Sequence, residues 1–379
     1  MMDKIYTCLL FAFLVVVLYP ITSTCKLTKV AVVHRHGDRA PYEPISPKDP
    51  FQDLKDWPEG WRQLTMKGKR NMYSLGRWLG KRYPIEDHRD VSVMSSGTER
   101  CILSVQCLLT GAFPPTNDNQ TIAPGLAWRP FFIKINDSML AESAPCPAYD
   151  NERKSIYGTK RAEEDFDREH LHLYNNIAEI TQSSRSDSDA AISVYARLLL
   201  AEKIGLKLPS YATQKFMQQM EKVAIMDYYF RGMMFKQKRL KTGMLFEDIV
   251  SKLESSKEKI HIYSTHDVEI SIMMNSMGLF NHSQLIDFGA TLIFELHDSD
   301  YQTSDNQYIK IFYMNQAESK VVVEVVPQGC QGFRNCPLSQ FKGSIEKFFV
   351  SNWKQECNQI DNASSFLDDA SLTNVTTVY

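Results

Sequence analysis

The sequence predicts an α/β fold in which a mainly parallel central sheet carries flanking helices and an inserted α-helical cap. Three short apolar runs, near residues 27, 91 and 259, are each followed by a turn and a helical pattern. Fully buried parallel strands have this near-continuous apolar character. The stretch between them is dominated by helical periodicity, which indicates the cap. In open α/β sheets ligands bind beyond the carboxyl ends of the strands, so those ends are where we look for function.

Length and composition exclude several classes of protein. The chain has 379 residues, of which 43% are hydrophobic and 23% charged, as in an ordinary globular protein with one large or two intermeshed domains. A net charge of -2 gives no reason to expect nucleic acid or an anionic membrane as partner. Any affinity for anions must therefore be local.

The first 24 residues have the pattern of a secretory signal peptide. Lys4 precedes an apolar run from Cys8 to Tyr19, which ends at Pro20 and is followed by small residues. The run is too short to span a bilayer comfortably, which argues against a membrane anchor. We expect residues 1–24 to be removed and the product to be secreted to the extracellular space, with no membrane partner.

Glycosylation and cysteine content agree with an oxidising compartment. Cys330 and Cys336 are close enough to staple a loop, whereas Cys101 and Cys107 lie roughly 9 Å apart along a predicted helix, too far to bond, and are interpreted as buried thiols. The remaining disulfide connectivity cannot be deduced from the residues.

Five Asn-x-Ser/Thr sequons predict glycosylation at Asn119, Asn136, Asn281, Asn362 and Asn374.

The first strand, predicted from Leu27 to Val33, ends in a cluster of polar residues. Arg35 and Arg39 offer forked donors that suit an oxyanion such as phosphate, and His36 is a candidate nucleophile or base. Gly37 would allow the backbone and a ligand to approach closely. A solvated basic turn is the alternative interpretation of these residues.

The next elements repeat the strand–turn–helix pattern. Thr65 is a plausible N-cap for a helix over Met66–Tyr83, which Pro84 ends. A second buried strand over Val91–Ser95 precedes a helix over Cys101–Leu109. Arg100 opens that helix, which places a third positive charge over the same edge of the sheet.

From residue 125 to 241 helical patterns dominate, over 161–180, 188–204 and 213–235. We interpret this stretch as a cap whose loops shape the mouth of the site. His170 and His172 could be half of a metal site, although ordinary residues of a charged helix are the better interpretation. Residues 25–124 and 242–379 then form the α/β domain.

The sheet returns with a strand over Lys259–Ser264, which ends at His266 and Asp267. A helix over Val268–Met277 follows, with Gly278 as its C-cap. Strands are predicted over 291–296, 308–314 and 321–326, and a last helix begins near residue 338.

Two of these clusters resemble the signatures of the histidine acid phosphatases, the second branch of the histidine phosphatase superfamily. Residues 35–41 read Arg-His-Gly-Asp-Arg-Ala-Pro and match every fixed position of Arg-His-Gly-x-Arg-x-Pro. Residues 263–267 read Tyr-Ser-Thr-His-Asp, the second signature, followed by Val268 where threonine is frequent. Arg100 is similar to a third phosphate-binding arginine. In overall character the chain is similar to the secreted acid phosphatases of insects, including venom members.

The resemblance implies an acid phosphatase that hydrolyses small phosphate monoesters through a phosphohistidine, with no metal or other cofactor. His36 would be the nucleophile, with a pKa lowered by neighbouring guanidinium groups, and Asp267 would be the proton donor, protonated at acid pH. A disulfide between Cys146 and Cys357 is also implied. Phosphate would be bound by Arg35, Arg39, Arg100 and His266.

Other functions stay open at this point. Within the family a phytase-like or lysophospholipid-directed enzyme is the alternative, and an inactive secreted glycoprotein is a further one. His34 and His36 at a strand end also resemble the start of a metal-dependent hydrolase site, but Arg35 and Arg39 would repel a divalent cation. His34 is more simply a supporting residue. A homodimer is left open.

Overall fold

The computed structural model describes residues 26–46, 48–155, 159–279, 285–298, 306–318 and 321–359. The predicted signal peptide, Cys25 and the sequons at Asn281, Asn362 and Asn374 lie outside these residues. No helix within the described ranges is long and apolar enough to cross a bilayer.

A single mixed sheet of eight strands runs through the described part of the chain, in the order β3-β2-β4-β1-β5-β6-β7, with β8 beside β6. The four strands from β3 to β1 are parallel, and β5, β6 and β7 each run antiparallel to the preceding neighbour. The predicted mainly parallel sheet is therefore confirmed for its core. The strands are β1 (Lys26–Arg35), β2 (Val91–Ser95), β3 (Ile133–Ile135), β4 (Ile260–Thr265), β5 (Thr291–Asp298), β6 (Gln307–Met314), β7 (Val323–Val325) and β8 (Cys336–Pro337).

Helices cover both faces of the sheet and form a separate layer. The predicted N-cap is present, since Thr65 accepts a hydrogen bond from the Gly68 amide. Gly278 has a φ of 70°, the left-handed conformation expected just after a helix. The helices are α1 (Met66–Arg82), α2 (Glu99–Ala112), α3 (Asp137–Leu140), α4 (Pro147–Arg153), α5 (Thr159–Thr181), α6 (Ser188–Lys203), α7 (Gln214–Arg231), α8 (Phe235–Ser255), α9 (Asp267–Ser276), α10 (Leu338–Ile345) and α11 (Trp353–Asn358).

Alternating residues of β1 show how the layers form. Val30 and Val32 face a core shared with α1 and α2, whereas Ala31 and Val33 face α8, α9 and α10. Successive side chains of a strand point to opposite faces, so one strand contributes to two cores. Helices α5, α6 and α7 bury a third core of their own, which also contains Trp57.

The helix-rich region differs from its prediction in several ways. Helix α8 was not predicted at all. The helix that was predicted over 213–235 ends at Arg231 in the structure, and Gly232 follows it. The predicted C-terminal boundary of the cap, at residue 241, lies inside α8, and the later residues of α8 pack on the sheet. The predicted N-terminal boundary, at residue 125, lies before β3, which pairs with β2 and is therefore part of the sheet. We propose that the inserted helical unit spans about residues 136–231.

Two disulfides connect distant and local parts of the chain. Cys146 and Cys357 join α4 to α11 across 211 residues, and Cys330 and Cys336 close a short turn. Cys101 is a buried free thiol, as predicted, but Cys107 is only partly buried. Of the described sequons, Asn119 is exposed, and Asn136 is half-buried and caps α3.

Candidate active site

Three strand ends bring the predicted site residues to one edge of the sheet. Strands β1 and β4 are parallel neighbours in which Arg35 pairs with Thr265, so the segments that follow lie side by side. The backbone amide of His36 donates to the Thr265 carbonyl across 3.1 Å. Strand β2 pairs with the other side of β4 and brings Arg100, on α2, to the same place. Parallel pairing therefore assembles residues that are up to 232 positions apart.

The ring of His36 is buried and its protonation is fixed by two contacts. Its Nδ1 lies 2.8 Å from the Gly37 carbonyl, and its Nε2 lies 3.1 Å from Nε of Arg100. A guanidinium can only donate, so Nε2 carries a lone pair and Nδ1 carries the proton. Burial, followed by the charges of Arg35 and Arg100, holds the pKa of His36 well below its usual value. From the sequence, only the guanidinium groups were expected to lower the pKa of His36. In the structure, burial of the ring is the larger cause of the lowered pKa.

Arg35 connects the first signature to the second. One of its terminal nitrogens forms an ion pair with Asp267, and the other donates to the Ile286 carbonyl at 2.6 Å. Its guanidinium also lies 4.0 Å from the centroid of the Phe288 ring. These three contacts hold the guanidinium in one plane beside the His36 ring.

Asp267 is held as a carboxylate. Its Oδ2 accepts from the Tyr228 hydroxyl at 3.0 Å in addition to Arg35, and its Oδ1 accepts from the Val268 amide at 3.0 Å. Burial alone would raise the pKa of Asp267, but Arg35 and the other positive and hydrogen-bonding neighbours outweigh it, and the net pKa is lowered. These contacts favour the ionised form of Asp267 in the free protein, so the predicted role of Asp267 as proton donor requires a proton that arrives with the substrate.

His266 has a defined tautomer as well. Its Nδ1 lies 3.2 Å from a terminal nitrogen of Arg100 and therefore accepts, while its Nε2 lies 3.2 Å from the Ser96 hydroxyl and 3.6 Å from the sulfur of Cys101. Burial and then Arg100 lower the pKa of His266 to about 3. The ring is neutral, and its only N–H points away from Arg100.

The remaining residues of the first signature have separate surroundings. Arg39 donates to the Ala40 carbonyl at 3.0 Å and stacks over Tyr42 at 4.4 Å. His34 is fully buried beneath the site, where its Nδ1 lies 3.0 Å from the Arg35 carbonyl. Gly37 does not serve ligand approach, because a Cβ there would lie 2.8–2.9 Å from Met72 and Gly68 of α1. Its lack of a side chain lets the segment pack on α1.

A cavity of about 560 Å³ opens above these groups and extends between the sheet edge and the helical layer. Three groups that contact the signature residues were not predicted, because they come from α7 and from the segment before β5. They are Tyr228, Phe288 and the Ile286 carbonyl. Among the described residues no three side chains that could ligate a metal are clustered, and His170 stacks on Phe166. The signature residues that line the cavity are Arg35, His36, Arg39, Arg100 and Asp267.

Comparison with known proteins gives consistent results for sequence and for structure. The sequence model of the histidine phosphatase superfamily (branch 2) matches residues 26–314. Human lysosomal acid phosphatase is 28% identical over 359 residues, covering 90% of this chain and 82% of that protein. Mouse prostatic acid phosphatase is 26% identical over 357 residues, covering 88% and 89% respectively.

Solved structures share the fold at lower sequence identity. The apo form of Hafnia alvei phytase has a TM-score of 0.66 at 14% identity, covering 88% of this chain and 98% of that one. The apo form of Bifidobacterium longum multiple inositol polyphosphate phosphatase has a TM-score of 0.56 at 11% identity, covering 84% and 92%. With both signatures assembled at one sheet edge and the family match spanning most of its length, the chain belongs to branch 2 of the histidine phosphatase superfamily.

Proposed function

We propose that the protein is an acid phosphatase that hydrolyses phosphate monoesters through a phosphohistidine at His36. The observation that carries this proposal is the unprotonated Nε2 of a buried histidine beside the guanidinium groups of Arg35, Arg39 and Arg100. Phosphoryl transfer depends mostly on positioning and charge neutralisation. Three guanidinium groups can supply both for a tetrahedral oxyanion.

The reaction would proceed in two displacements. When the phosphate oxygens take the donors of Arg100, its Nε leaves His36 and the Nε2 lone pair becomes free to attack phosphorus. A bond from Nε2 to phosphorus forms while the ester P–O bond breaks, and Asp267 gives a proton to the departing alcohol. Water then attacks phosphorus and gives a proton to Asp267, while the bond from phosphorus to Nε2 breaks. This step releases phosphate and regenerates the neutral His36.

Because the pKa of Asp267 is lowered, this carboxylate must first gain the proton that it gives to the departing alcohol. A phosphate monoester has its second pKa near 6, so below that pH it binds as a monoanion with one proton. A bound phosphate also competes for Arg35, which weakens the hold of that guanidinium on Asp267. The substrate's own proton can then pass to Asp267, and this route favours turnover at acid pH.

In the substrate complex His266 would act through a changed hydrogen bond. Its Nδ1 accepts from Arg100 in the free protein, so donation to a phosphoryl oxygen requires either a protonated ring or the other tautomer. The released Arg100 would permit that change. His266 is therefore proposed as a group that adjusts when phosphate enters, along with Arg100.

Location and modification are part of the proposal. The two disulfides fit an oxidising compartment, which a signal peptide over residues 1–24 would provide. The relatives named lysosomal and prostatic acid phosphatase are compatible with a lumenal or an extracellular product. We favour secretion, with glycans at the exposed Asn119 and at Asn136.

The test is hydrolysis of p-nitrophenyl phosphate near pH 5 by the purified protein, with and without a metal chelator. Turnover that is unaffected by chelator, and that disappears in His36→Ala, is expected. Absence of hydrolysis in the wild-type protein would favour the inactive glycoprotein, and loss on chelation would favour a metal-dependent hydrolase. Alkaline quenching during turnover should trap phosphate on His36, because the P–N bond of a phosphohistidine survives in base and hydrolyses in acid.

A further inference from the structure

Beyond the phosphate-binding groups, the cavity has an apolar wall. It is built from one face of α6 together with the segment that precedes β5, and Leu200 and Phe288 are its most buried members. The Phe288 ring centroid lies 4.0 Å from the guanidinium of Arg35, so apolar surface begins directly beside the proposed phosphate position. The wall consists of Ile192, Ala196, Leu199, Leu200, Leu285 and Phe288.

The rest of the cavity lining carries an excess of negative charge. Outside the signature residues, the described lining contains two cations, Lys203 and Arg231, against five carboxyl groups. These belong to Glu142, Glu221, Asp227, Asp287 and Glu318. Burial and the charge of Asp267 raise the pKa of Glu142, so at acid pH it contributes less negative charge than its count implies.

Both of those cations are already neutralised by carboxylates of the lining. The Nζ of Lys203 lies 2.7 Å from Asp287. Arg231 donates from Nε to Asp227 at 2.6 Å, and its Nη1 lies 3.5 Å from Glu142. Arg35 is likewise paired with Asp267, so among the described lining residues the cations without a carboxylate partner are Arg39 and Arg100, both at the phosphate position.

We propose that the site selects esters with one phosphate on an apolar or aromatic alcohol, and discriminates against polyphosphorylated alcohols, with Leu199 and Glu221 as specificity-determining residues. A second phosphate would be desolvated beside carboxylates without a cation to receive it, which is costly. An apolar leaving group would instead cover the α6 wall. This inference rests on the proposed function and names the substrate class of the same site.

Glu221 is a suitable probe of the charged wall. It accepts a hydrogen bond from the Tyr195 hydroxyl and lies on α7, across the cavity from the sheet edge. Leu199 is the corresponding probe of the apolar wall, because it is only partly buried within its own core and lines the cavity. Neither residue belongs to the signature groups.

The first experiment needs no variant. Values of kcat/KM at pH 5 are compared for phenyl phosphate, glycerol 2-phosphate, fructose 1,6-bisphosphate and inositol hexakisphosphate. We expect phenyl phosphate to exceed both polyphosphates by at least about tenfold, the scale of a like-charge contact at a partly desolvated site. Equal or faster hydrolysis of either polyphosphate would overturn the inference while leaving the proposed function intact.

The second experiment changes each wall separately. In Glu221→Lys the ratio of kcat/KM for fructose 1,6-bisphosphate to that for phenyl phosphate should rise about tenfold. In Leu199→Ala the ratio for phenyl phosphate to glycerol 2-phosphate should fall about fivefold, because apolar contact with the ring is lost. Unchanged ratios in both variants would overturn the inference.

Matched controls lie on α5, outside the cavity. Glu169→Lys makes the same charge change and Leu171→Ala the same truncation, both at exposed positions, and both ratios should stay at the wild-type values. If neither phenyl phosphate nor any polyphosphate is hydrolysed by the wild-type protein, the proposed function itself fails. That outcome is distinct from hydrolysis without selectivity.

Discussion

Arg100 donates a hydrogen bond from its Nε to the Nε2 of His36 across 3.1 Å. The lone pair that would attack phosphorus is therefore occupied by a group that is itself proposed to bind phosphate. A phosphate oxygen arriving at Arg100 would compete with this hydrogen bond and free the lone pair. In the proposed mechanism, substrate binding and activation of the nucleophile would then be a single event.

Replacement of His36 by alanine should abolish turnover. The substitution removes Nε2, the nitrogen proposed to attack phosphorus, and losses of roughly 10⁴-fold or more in kcat are expected for a covalent nucleophile. Activity towards p-nitrophenyl phosphate at pH 5 measures the loss, and circular dichroism checks that the fold is retained. Activity within tenfold of the wild type would rule out His36 as the nucleophile.

Asp267→Asn should slow hydrolysis in proportion to the basicity of the leaving alcohol. An amide cannot protonate the departing oxygen, so alkyl phosphates should lose about 10²–10⁴-fold in kcat while p-nitrophenyl phosphate loses much less. The slope of log kcat against leaving-group pKa provides the measurement. Equal rates for the variant and the wild type on both substrate types would show that Asp267 is not the proton donor.

Tyr228→Phe should shift the pH profile towards higher pH. The Tyr228 hydroxyl is one of the groups that lower the pKa of Asp267, so its loss raises that pKa and favours transfer of the substrate's proton to this carboxylate. The acidic limb of kcat/KM against pH, which reports ionisation of Asp267 in the free enzyme, should therefore move to higher pH. Tyr229→Phe, which changes a neighbour that does not line the cavity, is the matched control, and a profile identical for both variants would contradict the assignment.

Glu269→Gln should reduce the dependence of stability on pH. This carboxyl is 1% exposed beneath the site, and burial raises its pKa from 4.5 to about 8 despite the opposing charge of Lys241. The folded state therefore binds the proton more tightly, and the stabilisation is complete below pH 4.5 and lost as pH rises through 8. Between pH 5 and pH 8 the free energy of unfolding of the wild type should fall by up to about 3 kcal/mol more than that of the variant.

Urea denaturation at the two pH values measures that difference. Glu247→Gln removes a carboxyl at an exposed position of α8 and should leave the wild-type pH dependence unchanged. If Glu269→Gln retains the full wild-type loss between pH 5 and pH 8, Glu269 does not titrate in this range.

The parts of the site that follow strands could be predicted from sequence, and the parts contributed by packing could not. Arg35, His36 and Asp267 follow buried apolar runs directly, so parallel pairing alone brings them together. Tyr228 reaches Asp267 only because α7 packs against α9, and no local pattern along α7 marks one of its tyrosines for that contact.

The missed helix has a physical explanation as well. Helix α8 begins with four basic residues among its first seven, 235–241, which is unfavourable at the positive end of a helix dipole and gives no start signal. Its stability comes instead from burial of residues such as Leu245, Phe246 and Ile249 against the sheet. The hydrogen bond from the Met234 amide to the Gln237 side chain supplies the cap that the sequence pattern did not indicate.

Strand β1 pairs with β4 on one side and with β5 on the other, and this arrangement affects how the substrate preference of such a protein can change in evolution. The distance between the first signature and Asp267 is determined by the β1–β4 ladder, and the loop that holds Arg35 from the other side precedes β5, the second neighbour of β1. The surface proposed to face the alcohol comes largely from α6, which belongs to a separate core. Mutations in that helix can thus explore new substrates while the reacting atoms keep their spacing, whereas α7 is constrained by the hydrogen bond from Tyr228 to Asp267. Selectivity can therefore evolve through α6 as a trait nearly independent of catalysis.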